Sequence, residues 1–307
     1  MNIYFGFEEV KKINNAVVTT GSFDGVHLGH KLILKRLSDT AKKINGETVL
    51  ITFYPHPRQV LYPETSGRDL LMINSRQEKI DLLRDAGLDN IIFVKFTLEF
   101  ASTSAQDFIK NYLVDKLNVK KIVTGVNHHF GKNREGDIEE LQILGKKHDF
   151  EIELIPSQDV QNVDISSSLI RQAIIQGQVQ KAQSYLGHSF FIKAKIQASG
   201  QPQYIQMGYK SRNLIVEEKY KLVPPCGSYL VLVDHMQKTH KGLVFISACS
   251  ETAHNLIDLY VPTLPEQQSE TESVIVHFIR PNKIESDPTL LKSAIIKDLI
   301  HFNQIEL

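Results

Sequence analysis

Cysteine is scarce in this sequence: Cys226 and Cys249 are the two thiols in 307 residues. Two are too few for a thiolate metal cluster, and they suit a reducing compartment. Net charge is missing as well, because 35 Lys and Arg balance 35 Asp and Glu. A balanced chain has no bulk attraction for nucleic acid or an anionic membrane surface. No apolar run reaches membrane-spanning length. The segment Met1–Lys12 carries Glu8 and Glu9 and lacks the basic-then-apolar layout of a signal peptide. There is no Gly-x-Gly-x-x-Gly and no Walker A sequence, which argues against a dinucleotide oxidoreductase or a P-loop enzyme. Internal repeats and low-complexity segments are also absent. What remains is a globular composition, 42% hydrophobic and 23% charged, long enough for two domains and expected in the cytoplasm.

Over the first 186 residues, short β-branched runs alternate with helical patterns. The expected strands are Ala16–Thr19, Thr48–Phe53, Asn90–Phe96, Lys121–Thr124 and Glu151–Ile155. Between them lie the expected helices Lys31–Ile44, Ser75–Asp85, Ser104–Leu117 and Asp137–His148. Such alternation predicts an α/β domain, a parallel sheet with helices on both faces. Gly87 and Gly187 fit helix C-caps, and Ser102 or Ser104 fits an N-cap. After Gly187 the pattern changes to strand-like runs at Phe190–Gln197, Leu214–Glu217, Ser228–Val233, Leu243–Ile246, Leu256–Val261 and Ser273–Ile279. Punctuated by Pro and Gly, they predict a small antiparallel barrel or sandwich. Asp287-Pro288 then opens a final helix. The expected domains are residues 1–186 and 187–307.

The stretch Thr20-Gly21-Ser22-Phe23-Asp24-Gly25-Val26-His27-Leu28-Gly29-His30 joins the first expected strand to the first expected helix. Its glycines allow a sharp turn and close approach of a ligand to the backbone. Free amides and the dipole at the start of a helix favour an anion, so His27 and His30 beside them make a site for phosphate. Three further stretches stand at the ends of elements. Thr52-Phe53-Tyr54-Pro55-His56-Pro57 follows the second strand, and Gly125-Val126-Asn127-His128-His129-Phe130-Gly131-Lys132-Asn133-Arg134-Glu135-Gly136 follows the fourth. Ile165-Ser166-Ser167-Ser168-Leu169-Ile170-Arg171 precedes a helix, where hydroxyls, amides and one guanidinium suit the phosphates of ATP. In open parallel sheets ligands bind beyond the carboxyl ends of the strands, which adds weight to the first three.

The first stretch resembles the His-x-Gly-His signature of nucleotidyltransferases. In its longer form it is similar to the prokaryotic bifunctional riboflavin kinase/FMN adenylyltransferase (FAD synthetase) family. The Pro-His-Pro loop, the Phe130-Gly131…Arg134…Gly136 run and the Ser166–Arg171 run resemble further elements of that family. The resemblance implies a Rossmann-like nucleotidyltransferase domain and then a riboflavin-kinase-like β-barrel with a C-terminal helix. It also implies ATP and FMN as substrates, Mg²⁺ as cofactor, and FAD and pyrophosphate as products. His27 and His30 would then act on the α-phosphate. Gly21, Ser22, Phe23, Asp24, Gly25, Gly29, Asn127, Arg134, Ser166, Ser167, Ser168 and Arg171 would bind ATP, and Phe53, Pro55, His56 and Pro57 the flavin phosphate. Asn127 stands where the family has Asp and supplies no charge to a metal-bound phosphate. No residue is assigned with certainty as a metal ligand.

In the second domain the resemblance frays. Gly208-Tyr209-Lys210-Ser211-Arg212-Asn213-Leu214 stands for the family's Gly-Phe-Pro-Thr-Ala-Asn-Leu, so Ser211 and Asn213 keep hydroxyl and amide chemistry at a residual kinase site. Ala253 stands where the family has the general-base Glu, and loss of such a base costs about 10²–10⁴ in rate. The kinase fold is therefore expected with its activity weakened or silent. The alternatives are a related nucleotidyltransferase with another acceptor, such as phosphopantetheine or nicotinamide mononucleotide, and a nonenzymatic flavin-nucleotide binding protein.

Overall fold

The structure is a computed structural model that describes residues 1–126, 128–156, 159–160, 163–197, 211–248, 255–264 and 272–282. Its strands, in chain order, are β1 (Asn2–Tyr4), β2 (Val17–Thr20), β3 (Thr48–Tyr54), β4 (Asn90–Lys95), β5 (Lys121–Gly125) and β6 (Glu151–Ile155). A two-stranded ribbon, β7 (Asp159–Val160) and β8 (Val163–Asp164), follows. The remaining strands are β9 (Phe190–Gln197), β10 (Arg212–Ile215), β11 (Gly227–His235), β12 (Lys238–Ser247), β13 (Leu256–Tyr260) and β14 (Ser273–Pro281). The helices are α1 (Leu28–Lys43), α2 (Pro57–Leu61), α3 (Arg76–Asp85), α4 (Leu98–Ala101), α5 (Ala105–Asp107), α6 (Ile138–His148), α7 (Ser167–Ile175) and α8 (Val179–Leu186). No helix among the described residues is long and apolar enough to cross a membrane.

The chain divides into two compact units. One comprises Met1–Leu71 and Lys79–Ser166; the other comprises Met72–Glu78 and the described residues from Ser167 onward. In the first unit, β1 to β6 form one parallel sheet in the order β1-β4-β3-β2-β5-β6. Successive residues of a strand face opposite sides, and the two hydrophobic clusters divide accordingly. Val18, Val49, Ile51, Ile92 and Val94 pack with Phe108, Ile109, Leu113, Leu141 and Leu144. Val17, Leu50, Ile91, Phe93 and Val123 pack with Leu34, Leu37 and Ala41 of α1 and with Ile80 and Leu83 of α3. Helices thus cover both faces, as the alternation predicts.

The expected elements are present with shifted ends. α1 starts at Leu28, three residues earlier than the spacing of apolar residues suggests, because His27 serves as its N-cap. Ser104 caps α5, with its hydroxyl oxygen accepting from the Asp107 amide at 3.0 Å. Past α5 the expected long helix widens into π turns over Phe108–Val114. The extra residue per turn lets Phe108, Ile109, Leu113 and Leu117 all reach the core. β1 was not expected: three residues carry no periodicity, and its place comes from parallel pairing with β4. Gly87 (φ 78) ends the turn after α3, and Gly187 (φ 68) is the C-cap of α8.

In the second unit, six antiparallel strands close into a barrel in the order β10-β13-β12-β11-β14-β9. Its interior takes alternate residues, Val274, Val276 and Phe278 of β14 among them, and Phe278 meets Phe190 and Tyr229 at ring distances of 5.6 and 5.4 Å. β10 lies two residues earlier than its apolar run suggests. The expected helix from Asp287 lies outside the described residues.

A fully buried ion pair ties the segment Met72–Glu78 into this unit. Lys221 Nζ lies 2.9 Å from Glu78 Oε2, and neither side chain has any exposed surface. The ammonium also donates to the carbonyls of Ile73 and Phe191 and stands 4.3 Å over the Phe190 ring. The carboxylate accepts from the amides of Ser75 and Lys193, each at 2.8 Å. With both ions so completely bonded, removing one partner leaves an uncompensated buried charge. Lys221→Met is therefore expected to cost roughly 3–5 kcal/mol. Adding Glu78→Gln should recover part of that loss, which denaturant titration of the single and double variants will read.

Candidate active site

The sheet order places the site. Moving outward from β2, the chain runs to β3 on one side and β5 on the other, so the strand order reverses there and opens a crevice at the carboxyl ends. The Gly21–His30 turn rises from that end of β2. The amide of Gly21 is pinned to the Ile51 carbonyl of β3 at 3.0 Å. Phe23 and Val26 are buried, at 2% and 1% exposure, and act as anchors beneath the turn. To point both inward the backbone takes left-handed φ values of 46° at Phe23, 88° at Gly25 and 40° at Val26. For a β-branched residue that geometry costs on the order of 1–3 kcal/mol, so it persists only where packing imposes it.

The result is a corner lined by backbone donors. Among the described residues, the amides of Phe23, Gly25, His27, Leu28 and Gly29 have no hydrogen-bond acceptor. Gly29 lies so close to the His27 ring that an added Cβ would stand 3.3 Å from it. His27 caps α1 by accepting the His30 amide on Nδ1 at 3.4 Å, which leaves the ring proton on Nε2. The rings of His27 and His30 stack at 3.6 Å and 19°, and Phe23 stacks on the far side of His30 at 4.3 Å and 20°. His30 Nδ1 is buried and has no hydrogen-bond partner among the described residues.

Both imidazoles are neutral at neutral pH. Burial lowers the His27 pKa to about 4, against the opposing pull of the buried Asp24 carboxylate. His30 is held well below its ordinary value, first by burial and then by the charges of His27 and Lys79. Neutral imidazoles still donate a hydrogen bond, and they do so without a permanent buried charge. A phosphate that develops negative charge in this corner would meet ring N–H donors and free amides together.

The other expected stretches take distinct places. Phe53, at the end of β3, packs edge-on to Phe96 at 5.6 Å and near Phe100 at 6.0 Å, in an aromatic cluster. Tyr54-Pro55 is a cis peptide, and His56 caps α2 by accepting the Arg58 amide at 3.2 Å, with Pro57 as first helical residue. After β5, His128 Nε2 lies 3.1 Å from Thr20 Oγ1, so this loop is tied to the strand that carries the histidine turn. Burial first, and then His129 and Arg134, push the His128 pKa to about 4. Phe130 and Gly136 bridge each other, and Gly131 (φ 75) passes so close to Ala105 that a Cβ would clash at 2.6 Å. Arg134 is exposed with φ 62. Asn127 lies outside the described residues.

Ser166 ends the first unit; Ser167, Ser168 and Arg171 fall on α7 in the second. In the barrel, Ser211 is buried, and Asn213 Nδ2 donates to Gln197 Oε1 at 3.2 Å. Ser211 Oγ and Asn213 Oδ1 are buried and have no partner among the described residues. No group of three or more His, Cys, Asp or Glu among the described residues is placed to hold a metal ion.

Sequence reasoning missed Lys79 and Thr52, which both donate to the Ser22 carbonyl, at 2.7 and 3.2 Å. Lys79 sits in an amphipathic run like any surface lysine, so periodicity carries no signal for it. Thr52 stands in the sequence as the first residue of the Pro-His-Pro stretch, with nothing there to mark its hydroxyl as a brace for the turn.

The His27 geometry has a pH signature. Between about 4 and 6.5 the unfolded chain binds a proton that folded His27 refuses, so stability is whole above that window and falls with pH inside it. His27→Asn retains capping chemistry and removes the titration. Between pH 7 and pH 5 the wild type should lose about 2 kcal/mol more than this variant in denaturant titrations. Equal losses would show that the ring is not held neutral.

Comparison with known proteins agrees with this geometry. A family model described as FAD synthetase matches residues 9–169. A bifunctional riboflavin kinase/FMN adenylyltransferase of Buchnera aphidicola subsp. Schizaphis graminum is 33% identical over 97% of both chains. Proteins of the same name from Listeria monocytogenes and Escherichia coli K12 are 32% and 33% identical, covering 76% and 71% of this chain and 72% and 67% of their own. A Streptococcus pneumoniae structure described as a macrolide-efflux protein superposes over 99% of both chains with TM-score 0.86 at 24% identity, and so shares the fold. With the histidine turn, the parallel sheet and the barrel all in place, the chain belongs to the FAD synthetase family.

Proposed function

We propose that this protein transfers the adenylyl group of ATP to FMN, giving FAD and pyrophosphate. The observation that carries the reading is the pair of neutral, stacked imidazoles beside unpaired amides at the β2–α1 corner. An FMN phosphate oxygen attacks the α-phosphorus of ATP in line. The bond from that phosphorus to the α,β-bridging oxygen breaks, and the electron pair leaves on pyrophosphate. No covalent protein intermediate is needed, so catalysis is positioning and charge stabilisation. His27 and His30 donate to the α-phosphate oxygens as charge grows on them. The amides of the turn cradle the phosphates, while Ser167 and Arg171 hold the departing pyrophosphate. Phe53, Pro55, His56 and Pro57 shape the place of the flavin phosphate.

The donors present fit a Mg²⁺ ion carried on the triphosphate rather than one caged by side chains, since Mg²⁺ commonly keeps waters and phosphate oxygens as ligands. When bound, it would neutralise charge on the phosphates. Residues 1–186 form the adenylyltransferase module in this proposal, and residues 187–307 the kinase-like module. As an ATP-consuming protein with a reduced-thiol composition, it is placed in the cytoplasm. Riboflavin phosphorylation by the barrel is weakened: Ser211 and Asn213 keep polar oxygens there, but Ala253 replaces the basic carboxylate.

Two assays test these assignments. Purified protein with FMN and MgATP should yield FAD on chromatography, and His30→Ala should lower that rate by roughly 10²–10³. Near-normal turnover by the variant would defeat the role given to His30. The same protein with riboflavin and MgATP should form FMN far more slowly than it forms FAD from FMN. Comparable rates would show that the barrel has kept its own base.

A further inference from the structure

We infer that Lys79 is a positioning residue of the nucleotide site, whose ammonium holds the Ser22 carbonyl and thereby aims the Phe23 amide, one of the donors of the phosphate cradle. The inference rests on the adenylyl-transfer reading and adds to it a residue that the reading does not use.

Lys79 lies on α3 with 6% of its surface exposed. Burying an ammonium is costly unless it is well bonded, so a lysine in this place needs a reason. Its Nζ donates to Ser22 O at 2.7 Å, and Thr52 Oγ1 donates to the same oxygen at 3.2 Å. A carbonyl has two lone pairs, and both of these are taken. A peptide unit is planar and trans, so its C=O and N–H point in opposite directions. Fixing Ser22 O from the α3 and β3 side therefore fixes the Phe23 N–H on the opposite side. Phe23 then turns to φ 46°, and its amide is one of the unpaired donors of the corner. The Ser22–Phe23 peptide is the hinge between extended strand and left-handed turn. Without its anchor the plane is free to rotate, and the Phe23 donor loses its aim.

Burial first, then His27, and last the Lys79 ammonium hold the His30 imidazole well below its ordinary value, so Lys79 adds to the neutrality of that ring.

The test separates hydrogen bond from bulk. Lys79→Met removes both donor and charge, and Lys79→Gln keeps an N–H donor of shorter reach. The probe is α,β-methylene-ATP with Mg²⁺, bound under calorimetry, because it occupies the site without reacting. Lys79→Met should bind it roughly 10- to 100-fold more weakly than wild type, as expected for loss of a charged hydrogen bond. Lys79→Gln should recover a clear part of that affinity, and Thr52→Val should weaken binding less than Lys79→Met. Wild-type affinity in Lys79→Met overturns the inference, as does a Gln variant no better than Met. If the Met variant does not melt cooperatively, the Gln and Thr52→Val measurements decide on the same terms. A wild type that binds the analogue but makes no FAD from FMN would sink the acceptor assignment and leave the role of Lys79 standing.

Discussion

The site depends on one constraint: the turn after β2 must put Phe23 and Val26 into the core while leaving its amides outward. Two buried apolar side chains are each worth about 1.5–3 kcal/mol. That exceeds the strain of left-handed backbone at Val26, which is of order 1–3 kcal/mol and shared with a residue at Gly25 that tolerates it freely. Packing therefore wins, and the amide groups are left without partners as a by-product of burying the anchors. The sheet supplies the rest of the bracing. Ile51 and Thr52 of β3 hold the turn from one side, and His128 beyond β5 grips Thr20 from the other.

The electrostatics follow from the same burial. A single imidazolium in this corner would attract phosphate more strongly, yet two stacked rings 3.6 Å apart cannot both carry charge cheaply in a desolvated place. The structure resolves the conflict toward neutrality, with the helix N-terminus and free amides providing the positive potential. Donors of this kind are already oriented when charge develops on a phosphate, and they need not reorganise. The opposing carboxylate of Asp24 moderates the effect at His27 without reversing it.

Much of this was legible in the sequence, for identifiable reasons. The parallel sheet shows in runs such as Thr48–Phe53, which are apolar on both faces because both are covered. The barrel shows in short alternating runs set off by Pro and Gly, and the histidine turn shows in its glycines. The start of α1 was hidden because a cap is marked by a hydrogen bond and not by hydrophobicity: His27 looks like a loop residue until its Nδ1 is seen to accept the His30 amide. β1 was hidden because three residues gain their structure from β4 alone. The π turns after α5 were hidden because a five-residue repeat over Phe108–Val114 cannot be told from a frayed helical one. Lys79 was invisible for a different reason, since its burial comes from α3 packing on the turn and not from its neighbours in sequence.

The membership of Met72–Glu78 bears on how such a chain arises. A piece from the first quarter of the sequence supplies the anion for Lys221, nearly 150 positions later, inside the second unit. The barrel is therefore not a bead that shuffling can detach at a single crossover. A recombinant joined anywhere between residues 78 and 221 inherits the lysine from one parent and its counterion from the other. Such a hybrid keeps the buried pair only where both parents carry its two members.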